Sequence, residues 1–167
     1  MKLFVLSCLL FVDAPTFAQR YLQLHARQKA LQQAASTGDT VAINRLWEVM
    51  QQEAKIPLIE NDSVYFLYRG AAKSVLWVGD FNQWGYDKSF ASRGTKLGNT
   101  DVWIWKTSFP ADARLDYKII IDDTKWILDP VNPHTQWSGV GGGSVNSELR
   151  MPLYKPDEVT VSRNVPK

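Results

Sequence analysis

The sequence predicts a mainly β protein, a β-sandwich preceded by an N-terminal helical arm. Three observations carry this reading. From Val64 onward, short runs rich in aromatic and β-branched residues recur. Clusters of Gly, Pro, Asn and Asp separate those runs, the punctuation of an all-β fold built from short strands. Residues 20 to about 55 instead carry Leu, Ala, Gln, Arg and Lys, which favour helix.

The N-terminus reads as a secretory signal over residues 1–18. Lys2 supplies the charge. Leu3 to Val12 forms an apolar core too short to span a bilayer, and Thr16-Phe17-Ala18 offers small residues for cleavage before Gln19. A helical lead-in is expected over 19–56. Its first helix covers Arg20 to Ala35, the Ser36-Thr37-Gly38-Asp39-Thr40 segment breaks it, and a second runs from Val41 to Ala54. Val41, Leu46, Trp47 and Met50 fall roughly on one stripe, which must pack on something, most simply the chain's own following domain.

Ile56 to Asp62 reads as a connector, and the sandwich occupies 57–153. Strands are expected at Val64 to Tyr68, Ser74 to Val78, Val102 to Thr107, Asp116 to Asp122, Thr124 to Leu128 and Glu148 to Met151. Asp122-Asp123 reads as a tight hairpin turn, and Gly139 to Gly143 as a flexible loop. Residues 154–167 read as a linker or the start of a further domain.

Composition narrows the function classes. Among 167 residues, 19 Lys and Arg face 17 Asp and Glu, a net charge of +2. With no basic run, neither nucleic acid nor an anionic membrane is an expected partner once the signal is removed. The one cysteine, Cys8, lies inside the signal, so the mature chain has no disulfide or thiol chemistry. An exported protein, periplasmic or extracellular, fits this usage.

Seven tryptophans are many for this length. Trp77 sits in a strand-like run and reads as core. Trp103 and Trp105 share one strand face with Val102 and Ile104 on the other, and a strand apolar on both faces is usually buried on both. Trp47 belongs to the helical arm. Trp84 leaves a strand into Gly85-Tyr86-Asp87, and Trp126 shortly precedes Asp129-Pro130. These two suit a sugar site, where a flat indole stacks on the apolar face of a pyranose and nearby amides and ammonium groups bond the hydroxyls. Lys118, Ser144 and Asn146 are available partners.

Gly79-Asp80-Phe81-Asn82-Gln83-Trp84, Asp116-Tyr117-Lys118, Trp126 with Asp129-Pro130, and Gly143-Ser144-Val145-Asn146 occur in an order and spacing that resembles carbohydrate-binding module family 48 over about residues 63–152. The resemblance implies an immunoglobulin-like, early-set sandwich. It places sugar contacts at Trp84, Lys118, Trp126, Ser144 and Asn146. Asp129-Pro130-Val131-Asn132-Pro133 and the segment Gly141 to Pro152 further resemble the N-terminal domain of secreted bacterial esterases of the enterochelin and feruloyl esterase type. There a helical lead-in and sandwich precede an α/β-hydrolase domain, which the resemblance implies as a partner in cis or in trans. The segments 94–99 and 139–143 differ from the glycogen-binding members.

No catalytic centre accompanies these motifs. An esterase of this type needs a Gly-x-Ser-x-Gly elbow with an acid and a histidine, and the elbow does not occur. Ser138 and Ser144 lack a strand-turn-helix setting. His25 lies in the helical arm, and His134 reads as a solvated loop residue. Two isolated histidines without cysteine make no metal site, and Gly141-Gly142-Gly143 lacks the Lys-Ser/Thr of a phosphate loop. No cofactor is expected. The expected function is a non-catalytic carbohydrate-binding or accessory domain of an exported esterase, with polysaccharide or oligosaccharide as ligand. A stand-alone glucan-binding protein and a structural or protein-interaction sandwich are the alternatives.

Overall fold

The computed structural model describes residues 17–53, 56–138 and 143–156. The signal core, most of the glycine loop and the stretch beyond 156 lie outside the described residues, as does the side chain of His25.

Two helices open the described chain, α1 (Phe17–Thr37) and α2 (Thr40–Gln52). Gly38, at φ +70°, ends the first. Asp39 starts the second by accepting a hydrogen bond from the Ala42 N–H at 2.9 Å. The buried stripe of α2 is Ile43, Trp47 and Met50. Val41 is largely exposed instead, which corrects the expected stripe. Two residues turn a helix by about 200°, so Val41 lies on the side away from Ile43.

The sandwich is mainly β, as the sequence predicts, and consists of two antiparallel sheets. The first has the order β1-β2-β5-β4, from Leu58–Glu60, Ser63–Arg69, Val102–Ser108 and Thr95–Lys96. The second has the order β3-β6-β9-β8, from Val75–Gly79, Arg114–Ile121, Val145–Arg150 and Thr135–Trp137, and β7 (Lys125–Ile127) also pairs with β6.

Some boundaries differ from expectation. Leu58–Glu60 is a strand rather than a connector, folded back on β2 through Asn61 at φ +56°. Strand β9 begins three residues before the expected Glu148, at Val145. β4 and β8 are two and three residues long, too short to show a period-two pattern. The Asp122-Asp123 turn is as expected: both residues take positive φ, as the hairpin turn with two left-handed residues requires.

The inner faces meet around aromatic rings. Phe66 of β2 stacks on Trp105 at 4.9 Å and meets Tyr117 of β6 edge-on at 5.1 Å, which ties the two sheets together. Trp77 and Trp103 are buried in the same cluster. The outer face of the first sheet is covered as well: Tyr65, Leu67 and Val102 pack with Leu31, Ile43, Trp47 and Met50 of the helices. The doubly apolar character of β5 is thus explained, with Trp103 and Trp105 toward the sandwich and Val102 and Ile104 toward the helices. Arg69 ties the layers by bonding Asp101 and Asn44 of α2. No helix among the described residues is long and apolar enough to cross a membrane.

Candidate functional site

On the outer face of the second sheet Val78, Ile120, Asn146 and Glu148 are buried, while Lys118, Ser144 and Trp126 stay accessible among the described residues. Alternation along β6 turns Tyr117, Ile119 and Ile121 into the core, so Asp116, Lys118 and Ile120 face outward. Directly opposed residues of antiparallel strands share a face, so register carries this face across the sheet. Val78 lies opposite Lys118, Trp126 opposite Ile120, and Glu148 opposite Asp116.

Trp84 sits on a short 3-10 turn, Asp80–Gly85, that follows β3. The turn is fixed by Asn82, which is buried and uses both ends of its amide. Its oxygen accepts from the Gly79 N–H at 2.9 Å and the Gly85 N–H at 3.1 Å. Its nitrogen donates to the Trp77 carbonyl at 3.1 Å and Ser92 Oγ at 2.9 Å. Gln83 and Trp84 are held at φ +50° and +58°, a costly region for large side chains and one that clusters at functional positions. Gly79 is required here by space: a Cβ on it would stand 2.2 Å from the Asp116 carbonyl oxygen. The turn comes back over the sheet, so that a Cβ on Gly85 would lie 3.2 Å from Val78 Cγ1.

Lys118 and Ser144 are brought together, Nζ donating to Oγ at 2.6 Å. Ser144 is itself held by Ser138, whose N–H donates to its carbonyl at 3.1 Å and whose Oγ accepts from its N–H at 3.0 Å. Trp126 is 49% exposed on β7, one pleat from Lys118. Asn146 differs from the other four: it is only 3% exposed, and its amide nitrogen faces Asp116 Oδ2 at 3.4 Å. The geometry therefore gathers Lys118, Ser144 and Trp126 on one accessible face, with the Trp84 turn at its border.

An ionic cluster stiffens the far end of this face. Arg114 pairs with Glu148 at 2.6 Å and Asp116 at 3.0 Å, and Arg150 adds a second contact to Glu148 at 2.7 Å. Burial raises the carboxyl of Glu148, but the two arginines outweigh it and hold the group below its ordinary value. Burial keeps Asp116 above its ordinary value despite Asn146 and Arg114.

Beneath the face lies a polar network that sequence reasoning missed. Tyr117 Oη donates to Asp129 Oδ2 at 2.8 Å and accepts from Asn132 Nδ2 at 2.9 Å. The Asp129 N–H donates to Ser147 Oγ at 2.8 Å. Burial pushes the Asp129 carboxyl up to about 6, against the opposing pull of its bonds from Val131 and Tyr117. Also missed were Trp137, at 57% exposure the most open tryptophan among the described residues, and its neighbour Gln136. No local signal marks them, because the three residues of β8 cannot display a period. His134 is exposed, as the sequence predicts. No group of three or more His, Cys, Asp or Glu suited to a metal occurs among the described residues.

No protein-family model matches the sequence. No curated protein matches it either. Solved structures do. An enterobactin esterase from Shigella flexneri is 23% identical over 56% of this chain and 31% of its own, with a TM-score of 0.44. The ferric enterobactin esterase of Salmonella typhimurium is 19% identical over 56% and 32%, with a TM-score of 0.47. A maltogenic amylase from S. marinus is 18% identical over 57% and 14%, with a TM-score of 0.42. The chain spans about a third of the length of the esterases it matches.

Proposed function

We propose that this chain is a non-catalytic carbohydrate-binding or accessory domain that serves an exported esterase, whose α/β-hydrolase domain acts in cis or in trans. The observation that carries the reading is the half-exposed Trp126 on the same sheet face as the Lys118–Ser144 pair. An indole there offers a flat apolar platform, and the ammonium and hydroxyl beside it offer directional bonds to sugar hydroxyls. Trp84 borders this face from a turn that Asn82 holds rigid, which limits the entropy lost when a ligand docks. Export rests on the N-terminal signal pattern. The absence of a nucleophile elbow from the sequence supports a role without catalysis.

The test is electrophoresis of the chain from Gln19 onward through gels containing glycogen, starch, xylan or arabinoxylan. Retardation on one polymer is expected. Trp126→Ala is expected to weaken it about tenfold, equivalent to about 1.4 kcal/mol, with an unchanged melting temperature because the ring is half in solvent. Migration unaffected by every polymer would sink the reading.

A second reading rests on another observation. Trp137 and Val145 are a directly opposed pair on the edge of the second sheet, and both are exposed. An apolar pair of this kind suits contact with a neighbouring protein domain.

A further inference from the structure

We propose that Gln136 is a ligand-contacting residue of the glycan face, and that Asn146 positions the site from below without touching the ligand. The inference rests on the carbohydrate-binding reading above and adds a residue that the family resemblance does not supply.

Register places Gln136 on this face. Gln136 lies directly opposite Asn146. Asn146 has the strand parity of Glu148, which is paired with outward-facing Asp116. Lys118 and Asn146 each lie one residue beyond the last β6–β9 pair, Tyr117 with Ser147. Val78, Lys118, Asn146 and Gln136 therefore form one row across the second sheet, from β3 to β8. The row begins under the Trp84 turn, and Trp126 stands one pleat to its side.

Within this row, exposure and bonding separate the two amides. Asn146 is buried, and its nitrogen is turned to Asp116. Gln136 is exposed, and among the described residues its nitrogen makes only a 3.4 Å contact to the adjacent Trp137 carbonyl, near the limit for a hydrogen bond. Its Oε1 accepts and its Nε2 donates, so it can bridge two vicinal hydroxyls of one sugar. Lys118 supplies donors only. Together they suit a neutral glycan with adjacent hydroxyls, spread along the row from Trp84 toward β8.

The test compares Gln136→Ala, Gln136→Asn and Asn146→Ala in the same gels, with melting curves for each. On the polymer that retards the unaltered protein, Gln136→Ala is expected to weaken retention about 2- to 10-fold, the size of one hydrogen bond, with no change in melting. Gln136→Asn, shorter by one methylene, is expected to fall between the two. Asn146→Ala is expected to lower the melting temperature. Full retention by Gln136→Ala, with Trp126→Ala still impaired, overturns the inference and leaves the carbohydrate reading standing. Full retention by Asn146→Ala together with normal melting overturns its positioning role. No retardation of the unaltered protein overturns both the inference and the reading beneath it.

Discussion

Asp129 is the residue whose burial has the clearest measurable consequence. Burial pushes its carboxyl up to about 6 in the folded protein, against 3.8 as the ordinary value. Between those values the folded state keeps a proton that the unfolded chain has released. Stability from this group is therefore highest at or below about pH 4 and falls as pH rises to about 6, by on the order of 3 kcal/mol. Glu148, held low by its arginines, works in the opposite sense. The difference between the protein and Asp129→Asn isolates the effect: the fall in melting temperature between pH 4 and 6.5 is expected to become shallower in the variant. Parallel curves would show that Asp129 is ionised throughout. The sequence marks Asp129-Pro130 only as part of a family motif, and the fold alone brings Tyr117, Asn132 and Ser147 around it.

At the scale of elements, the Asp80–Gly85 turn decides where Trp84 stands. Asn82 makes four bonds to four partners, and losing them strands buried groups such as the Gly79 N–H. Asn82→Ala is expected to cost about 1–3 kcal/mol and to speed amide hydrogen exchange across residues 79–85. Exchange rates like those of the unaltered protein would refute this account. The longer elements were legible in the sequence because burial writes a period into them. Val64 to Tyr68 and Val102 to Thr107 alternate between two packed layers, and α2 repeats its apolar residues at helical spacing. β1, β4 and β8 were not legible, since two or three residues cannot display a period and their pairing comes from distant strands.

For the whole molecule, the helices act as a third layer. They cover Tyr65, Leu67, Val102 and Leu58 on the outer face of the first sheet, and the Arg27–Glu53 ion pair joins α1 to the end of α2. Removing residues 17–53 would expose this apolar face, so the shortened chain is expected to self-associate, as light scattering or sedimentation would show. A monodisperse, fully folded fragment would mean that the layer is dispensable. The helices pack on the first sheet and not on the second, and the residues proposed to contact glycan fall on the second sheet's outer side.

The sequence by itself determined the two-part order of helices and sandwich and the buried tryptophans, because composition and periodicity are local properties, and its motifs marked Lys118 and Ser144 as candidates. Tertiary structure decided which sheet face is covered, that Asn146 is buried while Gln136 is open, and that Asp129 is shielded from water. Those facts depend on register between strands far apart in the chain and on which layer lies above each face, and neither is written in any local pattern.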